Sequence, residues 1–452
     1  MGNLQEFRIE SLAYQGAGVA HHASGKTVFV PGTVPGDRVQ ARIVRTDKRY
    51  DTAELLGVLE PAAVRRRPPC VHAASCGGCG WQVIERDAQL LYKRRFVVDA
   101  LQHIGGFSDA EQLVAPQICH GREWGYRNKI ELAADYSADT LRLSMHASGD
   151  NAPTPVNKCL LLPSALENAP RILASTLGFA LKKTDSPLRR VGIRVSRHTG
   201  DVEVAIWTHP SACNRNFVAK VMDDALKTSS LVRVLVADAP AKRKIRGVEV
   251  LSGKGFWAER LGDFDYRISA PSFFQVNSGL AGELIADVLR MLQPQGKHVF
   301  DLYSGAGTFT LPLAAAGAQV QAVEMEGSSI RDLRRNLEIN GLKARVHGGD
   351  MAHMLPQLGS ADAAIIDPPR SGLSKIAMQA LLAAKIAQII YVSCNPATLA
   401  RDLAALRSVG YELREVLSYD LFPQTYHVET VAWIEKVGNA QESQGRHPAG
   451  RP

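Results

Sequence analysis

No stretch of this chain approaches the roughly 20 consecutive apolar residues that a bilayer-spanning helix needs. Its opening residues, MGNLQEFRIE, contain no apolar signal core and lack the Ser or Thr that a myristoylation site carries at position six. The expected location is therefore the cytoplasm, away from any membrane. Cysteine is sparse and odd in number: the seven are Cys70, Cys76, Cys79, Cys119, Cys159, Cys213 and Cys394. That count argues against a disulfide framework and for metal or catalytic roles. Acidic charge is in deficit, with 45 Asp and Glu against 53 Lys and Arg and a net charge of +8. Such an excess suits a polyanionic partner such as nucleic acid. Hydrophobic residues at 45% and charged residues at 22% are ordinary for a globular chain. Over 452 residues this is enough for about two to four domains.

Residues 1–60 read as all-β, with about five short β-branched segments separated by Gly16, Gly18, Gly25, Pro31-Gly32 and Pro35-Gly36-Asp37. That is the size of a small OB-like barrel. Arg65-Arg66-Arg67-Pro68-Pro69 looks like a linker. A helix is predicted at about 86–103, from Leu90, Leu91, Phe96, Val97 and Leu101 at helical spacing, and it is a candidate to pack on the C-terminal domain although it lies in the middle segment. Residues 61–270 mix strands and helices, with alternation at 191–195 and 202–206 that predicts antiparallel strands. The basic run Lys242-Arg243-Lys244-Ile245-Arg246 reads as a solvated loop. From 271 to 438 strands alternate with helices, which predicts a mostly parallel sheet covered on both faces. Residues 439–452 are polar and are expected to be disordered. The fold class is thus multidomain α/β: a barrel, a mixed α+β middle and a Rossmann-like C-terminal domain.

In that last domain every notable polar residue ends a strand, where open α/β sheets bind ligands. Asp301 is followed by Gly305 and Gly307, which let a backbone approach a ligand closely. Glu324 ends the next strand and can accept ribose hydroxyls. Thr310 occupies the place of the third glycine of a dinucleotide fingerprint, which counts against NAD. With Asp350 and Asp367-Pro368-Pro369 after the following strands, the order resembles class I S-adenosylmethionine methyltransferases. Asp367-Pro-Pro alone would point to methylation of an exocyclic amine. Ser393-Cys394-Asn395-Pro396, however, places a thiol at the mouth of the same cleft.

Ser393 to Asp402, together with His427-Val428-Glu429, resembles the paired motifs of the RNA uracil-C5-methyltransferases. The resemblance implies that Cys394 is the nucleophile and Glu429 the general base. It implies that Gln275, Tyr303, Thr308, Glu324, Asp350 and Asp367 line the S-adenosylmethionine and base cleft, with Thr308 standing where some members carry Asn. Phe273, in Phe273-Phe274-Gln275-Val276-Asn277, would stack on an extruded uracil. Gly16-Ala-Gly18-Val-Ala20 and Val30 to Asp37 look like a TRAM domain, an RNA-binding OB-fold.

Cys70-x5-Cys76-Gly-Gly-Cys79 is a local metal signal open to zinc or iron–sulfur, with Cys159 the expected fourth ligand over Cys119 and Cys213. Its spacing resembles the [4Fe–4S] site of ribosomal-RNA members of the family, which selects iron–sulfur. TRAM and cluster together are similar to the RlmD type, which implies 23S rRNA as the substrate. Transfer RNA, an amine acceptor, or a non-catalytic RNA-binding iron–sulfur protein are the rival readings. Nothing in the sequence marks an obligate protein partner.

Overall fold

The computed structural model describes residues 4–137, 140–146, 153–181, 188–237 and 245–437. Residues 242–244 of the basic run and the tail 439–452 lie outside them.

The N-terminal sheet has the order Leu4–Arg8, Arg38–Thr46, Tyr50–Glu60, Thr27–Val30, Gly18–His21, Ser11–Leu12. Its two end strands are consecutive in the chain and separated only by Ile9 and Glu10, so the sheet wraps into a barrel around Phe7, Ile9, Val28, Val30, Val39 and Ala41. There are six strands rather than five, because Ser11–Leu12 is too short to show alternation. The arginine-rich segment that follows is fixed rather than loose. Arg65 pairs with the fully buried Asp37 at 2.7 Å, and that carboxylate also accepts from the backbone N–H of Val34 and Ala62.

The middle sheet runs Ile245–Gly253, Ser230–Val236, Val202–Thr208, Leu188–Val195, Lys129–Ser137, Thr140–His146, Pro153–Pro155. Val191 pairs with Ile206 and Ile193 with Val204 in antiparallel register. Both residue sets of these strands are buried. Val191, Ile193, Val204 and Ile206 face the helices Ala169–Leu181 and Arg215–Leu226, while Ala205 and Trp207 pack with Val232, Val234 and Ala270 on the other side.

The C-terminal sheet has the order Arg345–Gly348, Gln319–Glu324, His298–Leu302, Ala363–Ile366, Gln388–Ser393, Glu429–Lys436, Tyr411–Tyr419. Pairings are parallel except those of Glu429–Lys436, which runs antiparallel to both neighbours. Period-two side chains split cleanly between two cores. Phe300, Leu302, Ala364, Ile366, Ile389 and Tyr391 face one layer. Val299, Ala363, Ile365, Ile390 and Val392 face the other.

Chain from outside 271–438 completes both layers. Val97, Val98 and Leu101 of the helix Arg86–His103 enter the first, and the hairpin Trp257–Leu261/Phe264–Ile268 enters the second. Within that helix Lys93 is fully buried, bonded to Asp420 and to the carbonyl of Phe422 at 3.0 Å. Burial pulls the lysine down to about 8, against the opposing pull of Asp420. Gln424 accepts from Gln89 of the same helix and donates to Glu123, so the loop leading to Glu429 is clamped from two sides.

Candidate active site and cysteine cavity

Four adjacent strands deliver the candidate groups to one edge of the C-terminal sheet. His298–Leu302 leads into Tyr303 and Gly305, Ala363–Ile366 into Asp367, and Gln388–Ser393 into Cys394. The fourth strand, being antiparallel, presents its first residue there: Ser393 pairs with Thr430, which sets Glu429 beside Cys394. One reversed strand therefore brings a carboxylate to the edge that parallel strands reach only with their C-termini.

Cys394 is half-buried, two residues before the helix Pro396–Arg407. Asn395 caps that helix, its Oδ1 accepting from the Ala397 N–H at 3.1 Å, and Pro396 pre-sets its first turn. The Asn395 amide and the Thr398 hydroxyl both donate to the carbonyl of Arg370, at 3.0 and 3.2 Å. This ties the thiol's loop to the Asp367-Pro-Pro-Arg370 turn. Burial, then the charges of Glu429 and Asp367, push the thiol up to about 12, with Arg370 opposing. The helix N-terminus also favours the thiolate. Burial raises Asp367 to about 7 and drives Glu429, 6% exposed, well above the usual carboxylate range; Asp367 reinforces the latter. Burial, helped by Arg370, lowers His427 to about 4. The imidazole is accordingly neutral, and its Nδ1 accepts from Arg370 at 3.2 Å.

The glycine loop is built as a cradle. Gly305 has φ +55 with open space where a side chain would stand, Gly307 has φ +99, and Tyr303 adopts φ +67, a conformation uncommon outside glycine. Glu324 accepts from the N–H groups of Gly305, Met325 and Glu326 at 2.9, 2.8 and 2.6 Å, which aims its carboxylate at the loop. Asp301 is fully buried and accepts from Thr310 through one oxygen. Its other oxygen, Oδ1, meets no donor among the described residues, and burial pushes the acid up to about 7. An orphaned buried acceptor under an open glycine turn fits a polar ligand. Asp350 stands exposed at a helix start, accepting from the Ala352 N–H at 2.9 Å. Thr308 is half-buried in the same loop; the threonine that grips Asp301 is Thr310.

Gln275 is anchored from the middle domain. Asn128 donates to its carbonyl at 2.8 Å and to Ser278 at 2.7 Å, while Asn277 caps the helix Ser278–Leu292 and donates to the carbonyl of Leu421. Phe273 is 65% exposed and lies at the cysteine cavity. Cys70, Cys76, Cys79 and Cys159 line one cavity of about 270 Å³, whose far wall is Phe273, Phe274 and Val276. Cys119 and Cys213 are not among its walls. Burial raises Cys76, Cys79 and Cys159, and the thiols raise one another. Backbone N–H groups of Gly78, Leu161 and Leu162 and the charge of Arg127 favour thiolates there. Among the described residues no three His, Cys, Asp or Glu side chains converge closely enough to hold a single metal ion.

Sequence reasoning missed Asn128, Arg370 as a partner of the thiol, and Tyr14, whose hydroxyl reaches the carbonyl of Cys394. Arg370 directly follows Asp367-Pro-Pro and could have been found there. Asn128 and Tyr14 sit in stretches without a motif.

Comparison with known proteins agrees with this geometry. Residues 117–347 and 358–437 match the tRNA (Uracil-5-)-methyltransferase family, and residues 2–56 match the TRAM domain. The chain belongs to this family of RNA methyltransferases. A relative in Gloeobacter violaceus, named an uncharacterized RNA methyltransferase, is 35% identical over 95% of each chain. One in Shewanella sp., named 23S rRNA (uracil(1939)-C(5))-methyltransferase RlmD, is 33% identical over 95% of each. Among solved structures, the tRNA (uracil-54, C5)-methyltransferase of Pyrococcus abyssi in complex with S-adenosyl-L-homocysteine is 26% identical with a TM-score of 0.74. It covers 95% of this chain and 100% of its own. No helix among the described residues is long and apolar enough to cross a membrane.

Proposed function

We propose that this protein methylates carbon 5 of a uridine in 23S rRNA through a covalent bond between Cys394 and carbon 6 of the base. The observation that carries the reading is Cys394 and Glu429 side by side across the Ser393–Thr430 register. Uracil carbon 5 is a poor nucleophile, and a thiolate added at carbon 6 divides the difficulty into two steps. The Cys394 sulfur bonds to carbon 6, the carbon 5–carbon 6 π bond opens, and its electrons become an enolate reaching carbon 5. S-adenosylmethionine, when bound, supplies the methyl group that carbon 5 takes. Glu429 then removes the carbon 5 proton; those electrons re-form the double bond and expel the Cys394 thiolate. The same burial that raises Glu429 makes its carboxylate, once ionised, a strong base. Asp301, Tyr303, Gly305, Glu324 and Asp367 would hold the cofactor, with Thr308 and Asp350 at its margin and Gln275 facing the base. Phe273 would stack on the flipped uracil.

In this reading the chain divides its labour between a barrel (1–60), a central domain (61–270) and a catalytic domain (271–438). The barrel and the central domain grip RNA backbone and shape. Cys70, Cys76, Cys79 and Cys159 would hold a [4Fe–4S] cluster. A zinc ion needs its sulfurs drawn to about 2.3 Å from one point. The four thiols line one cavity, and the preference for iron–sulfur over zinc rests on the likeness of their spacing to the cluster-bearing ribosomal-RNA members of the family.

The 23S substrate rests on the full-length likeness to enzymes named RlmD; the Pyrococcus structure supports transfer RNA as the second reading. Anaerobically purified protein, S-adenosylmethionine and separate 23S rRNA and transfer-RNA transcripts, digested to nucleosides and weighed by mass spectrometry, decide between them. 5-Methyluridine in 23S rRNA alone is expected. Its appearance in transfer RNA would keep the chemistry and overturn the substrate.

A further inference from the structure

We propose that Tyr14, carried by the N-terminal barrel, is a positioning residue for Cys394, which makes the barrel part of the reacting site as well as an RNA-binding module. The proposal rests on Cys394 being the nucleophile.

Tyr14 lies 380 residues from Cys394 in sequence, yet its hydroxyl donates to the Cys394 carbonyl at 3.3 Å. The turn that carries it is rigidly made. The Ala13 N–H bonds the Ala17 carbonyl and the Gly16 N–H bonds the Ala13 carbonyl, both at 2.8 Å. Gly16 sits at φ +84, and any side chain there would run into the indole nitrogen of Trp81 at 2.6 Å. Only glycine permits both the conformation and the close seat on Trp81. The phenol ring then stands edge-on to Phe96 of the helix Arg86–His103 and to Tyr426, each at 5.7 Å between centroids. Both distances are in the range where edge-to-face aromatic pairs are favourable.

Ring packing alone would be served equally well by phenylalanine. The hydroxyl does something else: it bonds the carbonyl of Cys394 and stands within electrostatic reach of Arg370. Arg370 is the cation that favours the Cys394 thiolate against Glu429 and Asp367, and it donates to His427. One phenol thus fixes the peptide plane that follows the thiol and lies beside the guanidinium that stabilises its charged form. Burial raises the phenol, so it stays a neutral donor throughout the working pH range.

The test uses the full-length protein and its Tyr14→Phe variant, which keeps the ring and deletes only the hydroxyl. Alkylation of Cys394 by iodoacetamide, read peptide by peptide in a mass spectrometer across a pH series, should shift to more alkaline pH in the variant. Single-turnover methylation of unmodified 23S rRNA transcript should slow about 3- to 10-fold at neutral pH, the loss of one hydrogen bond. RNA affinity and melting temperature should stay as in the unaltered protein. Alkylation and methylation at unaltered rates would overturn the proposal. So would a drop in melting temperature or RNA affinity large enough to account for the slower rate, because the role would then be structural. A Cys394→Ala variant run alongside separates the two layers: if it still methylates RNA, the nucleophile assignment fails and Tyr14 loses its object.

Discussion

The two groups of cysteines differ in the company they keep. Around Cys394 the neighbours are acids, Glu429 and Asp367, balanced by one arginine and a helix N-terminus. Around Cys79 the neighbours are Cys159, Cys76 and Cys70, with Arg127 and backbone N–H groups favouring negative sulfur. Burial raises both sets, so burial alone distinguishes nothing. A thiol beside carboxylates lacks partner ligands and has a base within reach, which suits bond-making and bond-breaking. Thiols beside thiols share a cavity and suit jointly held positive charge.

Substitutions at each place should separate them most strongly. Cys394→Ala is expected to abolish methyl transfer, a loss of at least about 10⁴-fold, with melting temperature and RNA binding unchanged. Cys79→Ser should do the reverse in kind: loss of iron and sulfide from anaerobically purified protein, with a lower melting temperature. Metal analysis and calorimetry on both variants check the contrast. If Cys394→Ala also lost iron, the two regions would not be independent.

Glu429→Gln ranks next, with an expected loss of roughly 10²–10⁴-fold in turnover, measured with saturating RNA. Asp301→Asn sharpens the cofactor side. Asp301 is raised from its unfolded value near 3.8 to about 7 in the folded protein. It therefore supports the fold below pH about 4, and that support is lost as pH rises through about 7. Asparagine should thus raise stability by about 1–3 kcal/mol at pH 8 relative to pH 5, while weakening S-adenosylmethionine binding. Denaturant titration at the two pH values would show no difference between them if Asp301 were ordinarily solvated, and unchanged calorimetric binding would remove it from the cofactor site. The smallest effect is electrostatic. In Glu429→Gln the thiol loses its nearest negative neighbour, so the pH midpoint of Cys394 alkylation should fall by about one unit. An unchanged midpoint would mean the two groups do not sense one another.

What could be read from the sequence follows the reach of its signals. Cys394, Asp367 and the glycine loop each lie in a short motif at the end of an apolar strand, and the regular succession of apolar strands and helices located them. The antiparallel course of Glu429–Lys436 was not legible, because period two is the same in either direction; its motif carried Glu429 instead. Cys70, Cys76 and Cys79 were legible as a local cluster and Cys159 was expected to join them; the fold sets all four around one cavity. Arg65 looked like linker because Arg-Pro runs usually are, yet the buried Asp37 holds it. The packing of the helix Arg86–His103 on the catalytic domain was expected, whereas the hairpin Trp257–Ile268 completes a core made mainly by residues further along the chain, and no local pattern reports that. Tyr14 and Asn128 act through contacts across 380 and 147 residues.

The central claim is a carbon–sulfur bond between Cys394 and the target uridine. Its most direct test incubates the Glu429→Gln protein with S-adenosylmethionine and unmodified 23S rRNA transcript, then applies a denaturing gel and mass spectrometry of the retarded band. The expected result is a peptide containing Cys394 joined to a methylated uridine, because the carbon 5 proton has no base to take it. A variant that turns over normally and leaves no adduct, or an adduct on any other residue, would contradict the account.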